Sequence, residues 1–143
     1  MNTPTIQPYL FFGGCCEEAL ALYQSALGAE IDMIMRYHES PEPPAPGSIP
    51  PGYEDKVMHA SFRIGNTTLM ASDGCGPSEG FSGFSLSFTA PDEGEARRCF
   101  DALAEGGSIA MPLGQTFWSP LFGMVKDRFG LCWMVSIPEC SAS

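Results

Sequence analysis

Basic residues are scarce. The 143-residue chain has seven Lys and Arg against seventeen Asp and Glu, a formal net charge of −10. No basic face is then available to neutralise phosphates, which excludes nucleic acid and anionic membranes as partners and leaves small molecules or proteins. Long hydrophobic runs are also missing, since no apolar segment approaches the roughly 18 residues of a membrane span. The opening MNTPTIQPYLFF has neither a basic leader nor a cleavable apolar core, so the expected location is cytoplasmic. The six cysteines, Cys15, Cys16, Cys75, Cys99, Cys132 and Cys140, form no CxxC pair and no zinc-type spacing, so free thiols are expected.

What is present suits a globular α+β protein. Hydrophobic residues make up 44% and charged residues 17%, and this length fits one domain, 1–143, able to bury well over half of its unfolded surface. Ile6 to Phe12 is β-prone; Leu20, Tyr23 and Leu27 then recur at helical spacing until Gly28 supplies a stop. A strand over Ile31 to Tyr37 precedes SPEPPAPGSIPPGYEDK, whose prolines exclude helix interiors and central strands and require a surface loop. Val57 to Ile64 and Thr67 to Ser72 read as strands joined at Gly65-Asn66. The pattern then repeats. Phe84 to Thr89 is a strand; Pro91 and Asp92 open a helix with Ala96, Cys99, Phe100 and Leu103 on one stripe; Gly106-Gly107 ends it. Strands follow over Ser108 to Leu113, Phe117 to Lys126 and Leu131 to Ile137, with Asp127 to Gly130 as a turn serving solvent and turn geometry. Ala19, Tyr23 and Gly28 match Ala96, Phe100 and Gly106 at a spacing of about 77, which predicts a duplicated βαβββ module. Module one spans about 5–73 and module two about 82–137.

Three segments, PYLFF, VMHASFRIGNTTLMASD and QTFWSPLFGMVKDRFGLCWMV, resemble the PhnB-like branch of the vicinal oxygen chelate superfamily, which includes glyoxalase I, extradiol dioxygenases and bleomycin-resistance proteins. The resemblance runs from Pro8 to about Ile137 and implies two βαβββ modules forming a curved mixed sheet, with a concave pocket and a homodimer of two-fold symmetry. Catalytic members of that superfamily hold a metal on the first and last strand of each module. Here those positions carry Pro8, Asp73, the Gly83 to Ser87 stretch and Met134, so at most one carboxylate faces the ion, and no metal or other cofactor is expected. The chain also lacks the Gly-rich turn between strand and helix that an adenosyl cofactor needs, which argues against a methyltransferase.

Strand alternation places Met58, Ala60, Phe62 and Ile64 on the helix-covered face and His59, Ser61 and Arg63 on the other. A His, a hydroxyl and a cation on one strand suit an acidic or hydroxylated small molecule, with the imidazole able to move a proton. In the bland alternative, His59 is a structural residue and Arg63 pairs with a carboxylate. The resemblance adds Tyr9, Asp73, Gln115, Phe117 and Trp118 to the candidate binding residues, with Phe122 as a further aromatic wall; His38 reads as solvent-facing. Cys15 and Cys16 sit where a strand passes into a helix, a place that can lower a thiol pKa, but no His lies nearby in sequence to act as a base, so small residues filling the start of a helix are the expected reading. Three functions remain open: a metal-free small-molecule binding protein or enzyme, a metal-dependent lyase, isomerase or dioxygenase, and a drug-sequestering resistance protein.

Overall fold

A computed structural model describes residues 4–42, 47–74, 76 and 80–138. The centre of the proline-rich loop, 43–46, lies outside the described residues, as do Cys75 and Cys140. The chain divides into two compact units, 1–79 and 80–143. Among the described residues each holds a four-stranded mixed sheet and one α-helix, so the class is α+β.

In the first unit β1 (Tyr9–Phe11), α1 (Cys16–Leu27), β2 (Glu30–Arg36), β3 (Val57–Ile64) and β4 (Thr67–Ser72) form a sheet of order β1-β4-β3-β2. Only β1 and β4 run parallel. The second unit repeats this with β5 (Leu86–Thr89), α2 (Glu93–Ala104), β6 (Ser108–Gly114), β7 (Phe122–Lys126) and β8 (Cys132–Ser136), in the order β5-β8-β7-β6 with β5 and β8 parallel. Matching backbone bonds seal the correspondence. Phe12 N–H donates to Ser72 O as Ala90 N–H donates to Ser136 O, and Asp73 N–H donates to Val57 O as Ile137 N–H donates to Leu121 O.

Helix α1 buries Ala19, Leu20, Tyr23, Ala26 and Leu27 against its sheet, with the Tyr23 ring stacked 6.3 Å from Phe62. Each large apolar side chain removed from water in this way contributes about 1.5–3 kcal/mol. The helix ends at Gly28, whose φ of 70° is the left-handed conformation of a C-terminal cap; its N–H and that of Ala29 return to Gln24 O and Tyr23 O. Helix α2 starts at Asp92, which accepts from Glu95 N–H at 2.9 Å, and buries Ala96, Cys99, Phe100 and Leu103. Opposite it, Gly123 is required for packing: a Cβ there would lie 2.8 Å from Cε2 of Phe100 and 3.0 Å from Cδ2 of Leu113.

The structure corrects the sequence reading at four places. In β3 the buried set is Val57, Ala60, Phe62 and Ile64. Arg36 pairs with Val57 and Met35 with His59, so Met58 is an extra, bulged residue and stays half-buried. Strand β7 begins at Phe122; before it the backbone turns through Thr116 and Ser119, with Thr116 N–H donating to Ser119 O. Asp127 does set the last turn but does not serve solvent: it is 2% exposed and accepts from Phe129 N–H, Leu131 N–H and the Trp133 indole. Finally, Gly13-Gly14 does stand between a strand and a helix, with φ of 65° and 118°.

Candidate functional site

The turn at Gly13-Gly14 leads into α1 and exposes N–H donors of the kind that bind phosphates elsewhere. Here an internal carboxylate occupies them. Asp73, at the end of β4, accepts from Gly14 N–H and Cys16 N–H on Oδ1 and from Val57 N–H on Oδ2, each at 2.8 Å. Asp73 is 1% exposed. It caps the helix that Cys15 leaves without a side-chain cap, and it ties β1, α1, β3 and β4 together at one point. The same carboxylate reverses the expected effect on the neighbouring thiol: burial first, and then the charge of Asp73, push the Cys16 thiol up, away from the reactive thiolate. Cys15 Sγ–H donates to Phe12 O.

Beside this junction a cleft of about 310 Å³ is lined by Gly14, Glu17, Arg36, Asp55 and Lys56, among others. Its cations are engaged. Arg36 forms a two-pronged bond to Glu17 and donates to Asp55 O, and Lys56 Nζ donates to Gly14 O. His38 lies 3.4 Å from Asp55 and is exposed, in agreement with its solvent-facing reading.

The helix-free face of the first sheet carries the remaining candidates of that unit. The Tyr9 hydroxyl and Nδ1 of His59 are 2.9 Å apart, a bond in which the phenol donates when the ring proton sits on Nε2. Partial burial pushes the Tyr9 phenol up, so it keeps its proton at neutral pH. The Tyr9 ring stacks on Phe11 at 5.0 Å and tilts against His59 at 5.6 Å. Register adds neighbours that the sequence did not single out: Met70 lies between Tyr9 and Ser61, Met33 opposite Ser61, and Met35 opposite His59. The signal was available in the Met33, Met35 alternation, but only the pairing shows where it points. Tyr9, His59 and Ser61 therefore belong to one surface. Arg63, further along β3, donates to both oxygens of Asp32 at 3.1 Å and to Glu30 at 2.9 Å, so its charge is compensated.

Among the second unit's candidates, Gln115, Phe117 and Trp118 lie on the β6–β7 connection and are exposed. Phe117 is 97% exposed and meets Trp118 edge-on at 4.7 Å; Trp118 in turn meets Phe122 at 5.4 Å. Phe122 is the first residue of β7, so this aromatic group continues onto the sheet. Of the expected superfamily ligand positions, Ser87 and Met134 are directly paired, while Asp73 is committed to backbone. Among the described residues no three His, Cys, Asp or Glu side chains converge as a metal-binding group, and no helix is long and apolar enough to cross a membrane.

Comparison with known proteins places this geometry. Residues 4–136 match the family described as 3-demethylubiquinone-9 3-methyltransferase. Protein YjdN of Escherichia coli (strain K12) is 36% identical over 138 residues, covering 92% of this chain and 94% of that protein. The crystal structure of protein PA1353 from Pseudomonas aeruginosa shares 44% identity with a TM-score of 0.83, over 96% of this chain and all of that one (100%). The PhnB protein from Bacillus cereus shares 32% identity with a TM-score of 0.77, over 94% and 100%. A glyoxylase/bleomycin resistance protein/dioxygenase domain from Frankia sp. EAN1pec, 13% identical with a TM-score of 0.67 over 97% and 100%, shares the fold. The chain thus belongs to the 3-demethylubiquinone-9 3-methyltransferase family, is similar to a PhnB protein, and has the fold of glyoxylase/bleomycin resistance/dioxygenase domains.

Proposed function

We propose that this protein binds a small molecule on the helix-free face of its first sheet, without a catalytic metal, as one domain that works as a homodimer. The observation that carries the reading is the hydrogen-bonded pair of Tyr9 and His59, set among Phe11, Met35 and Met70. A few polar groups on an apolar, aromatic surface are what a small-molecule site requires. Phenol and imidazole together can orient a hydroxyl or carbonyl and pass a proton to it.

The electrostatics narrow the ligand. Arg63 is compensated by Asp32 and Glu30, and the chain carries a net charge of −10. Among the described residues no free cation stands on this face to attract a carboxylate or phosphate, so the ligand is neutral or cationic and flat enough to lie on rings and thioethers. Hard divalent ions find phenol, hydroxyl and thioether around His59, a poor donor set for them. Methyl transfer from an adenosyl cofactor, which the family description names, has no support here, because Asp73 already takes the N–H groups at the start of α1.

Melting-temperature shifts over a panel of flat phenols, quinones and aromatic cations test the reading. A ligand at about 100 times its Kd stabilises by about 2.7 kcal/mol, a shift of several degrees. Tyr9→Phe and His59→Ala should each weaken the best binder. Equal binding by both variants would refute the site, and stabilisation by inorganic phosphate or dicarboxylates in preference to the panel would refute the ligand class.

A second reading, sequestration of a flat drug, is favoured by the Phe117, Trp118 and Phe122 cluster in the other unit. Quenching of Trp118 fluorescence by an aromatic cation, absent in Trp118→Ala, would select it.

A further inference from the structure

Methionine is ordinarily a filler of hydrophobic cores. None of the seven described methionines is in the buried core, which is built of Leu, Ala, Val, Phe, Tyr, Ile, Cys and Trp; all seven lie on strands. Three of them share one row of the second sheet. Met111 on β6 is directly paired with Met124 on β7, and Met124 with Met134 on β8. Strand β7 turns Gly123 and Val125 inward, toward α2, so Met124 lies on the helix-free face with its two partners. Met111 is 37% exposed, and Met124 and Met134 are half-buried. The row is therefore accessible from solvent.

We propose that Met111, Met124 and Met134 form a binding site for a soft monovalent metal ion, Cu(I) in its native chemistry and Ag(I) as its surrogate. Thioether sulfur is a soft, uncharged ligand that selects Cu(I) over the hard and borderline divalent ions. The geometry allows three such ligands on one ion. Adjacent strands are about 4.8 Å apart, so the outer two methionines start about 9.6 Å apart with the third between them. A flexible thioether side chain reaching inward closes about half of that distance from each side, which brings three sulfurs over the middle strand. Leu, Ile or Val would give an equally apolar surface without this capacity. The net charge of −10 belongs to the chain as a whole, and Lys126, two residues beyond Met124 on the same face of β7, is a cation, so binding rests on the softness of sulfur and not on local charge. Cys132 precedes Met134 by two residues on β8 and is a free, half-buried thiol, so it is a competing soft ligand beside the row that the test must separate.

The test uses the full chain with its methionine methyl groups labelled with carbon-13. One equivalent of Cu(I), held reduced and buffered by bicinchoninate, should shift three methyl signals together; substitution of each residue by Leu assigns them to Met111, Met124 and Met134. Met124→Leu keeps the fold and should weaken Cu(I) binding by at least about tenfold, the loss typical even of a residue that only supports a ligand. Cys132→Ser should leave the affinity unchanged. The proposal is overturned if the three methyl signals stay in place, if Met124→Leu binds as the unsubstituted chain does, or if Cys132→Ser abolishes binding. Equal competition by zinc would also overturn it, because thioethers do not hold that ion.

Discussion

Removal of the Asp73 carboxylate should show whether that residue serves folding or binding. The side chain accepts three backbone N–H bonds of 2.8 Å, from Gly14, Cys16 and Val57. Cys16 and Val57 have no exposed surface, so two of these donors have no route to water when the acceptor is lost, and Gly14 is half-buried. A buried donor left without a partner costs about 1–3 kcal/mol, and bonds to a charged acceptor lie at the upper end. Asp73→Ala should therefore destabilise by about 4 kcal/mol, part of the third loss being offset by water. Asp73→Asn has the same shape but one acceptor fewer, and its amide meets an N–H that it cannot accept from. It should cost about 2 kcal/mol, a drop of about 6–8 °C in melting temperature for a chain of this size. Urea denaturation of both variants, with the slope checked for two-state behaviour, gives the numbers. A loss below about 0.5 kcal/mol for either, the range of ordinary surface substitutions, would refute this account and return Asp73 to the list of binding residues.

Other consequences concern pH, packing and assembly. Burial and the Asp73 charge raise the Cys16 thiol above its ordinary value of 9.0, so the folded chain keeps a proton that the unfolded chain releases. That contribution is complete below pH 9 and falls as pH rises further, by up to about 1.4 kcal/mol per unit; unfolding at pH 8, 9 and 10 should show the slope, and Cys16→Ser should reduce it, leaving the share of Cys99, whose thiol burial also raises. Gly123→Ala should cost about 1–3 kcal/mol by overpacking against Phe100 and Leu113, whereas Gly114→Ala, with open space around its Cβ position, should change thermal stability by less than about 0.5 kcal/mol. Equal effects would contradict the close approach of α2 to β7. Light scattering at micromolar concentration should give a dimer mass; a monomer of about 15.4 kDa would reject two-fold assembly.

The order of elements was legible because it rests on local chemistry. Gly28 and Gly106 stop helices, Asp92 starts one, and Gly65-Asn66 closes a hairpin whose flanking strands, Val57–Ile64 and Thr67–Ser72, fall where the alternation puts them. The resemblance of three segments to a known family supplied the pairing that periodicity alone does not. Errors arose where a contact outside the strand or turn itself overrides its local pattern. The bulge at Met58 depends on the register with β2, and the burial of Asp127 depends on an indole six residues away. Asp73 reads as a donor at the end of a strand; only the return of the chain beside α1 turns it into a helix cap. At the candidate site, the alternation found His59 and Ser61, but the methionines opposite them are set by pairing between strands distant in sequence.

The two units agree on one face of their sheets and differ on the other. Their helix-covered faces are built alike, with Ala19 and Tyr23 of α1 matched by Ala96 and Phe100 of α2. Their helix-free faces are not. Following the shared backbone bonds, the row Tyr9, Met70, Ser61, Met33 in the first sheet corresponds to Ser87, Met134, Met124, Met111 in the second. Two positions keep methionine, and two exchange chemistry: phenol for a small hydroxyl, and small hydroxyl for a thioether. Next to the first row stands His59, and at the corresponding place beside the second stands Phe122. The scaffold positions are thus the same while the phenol–imidazole pair is confined to one sheet and thioethers dominate the row of the other. A duplicated fold needs only its cores to match for both halves to be stable. Its two helix-free faces are free to take different ligands, which is why the phenol–imidazole pair and the methionine row call for separate tests: Tyr9→Phe should leave Cu(I) affinity unchanged, and Met124→Leu should leave the binding of a flat phenol unchanged. Loss of both properties in either variant would refute the assignment of a separate ligand to each face.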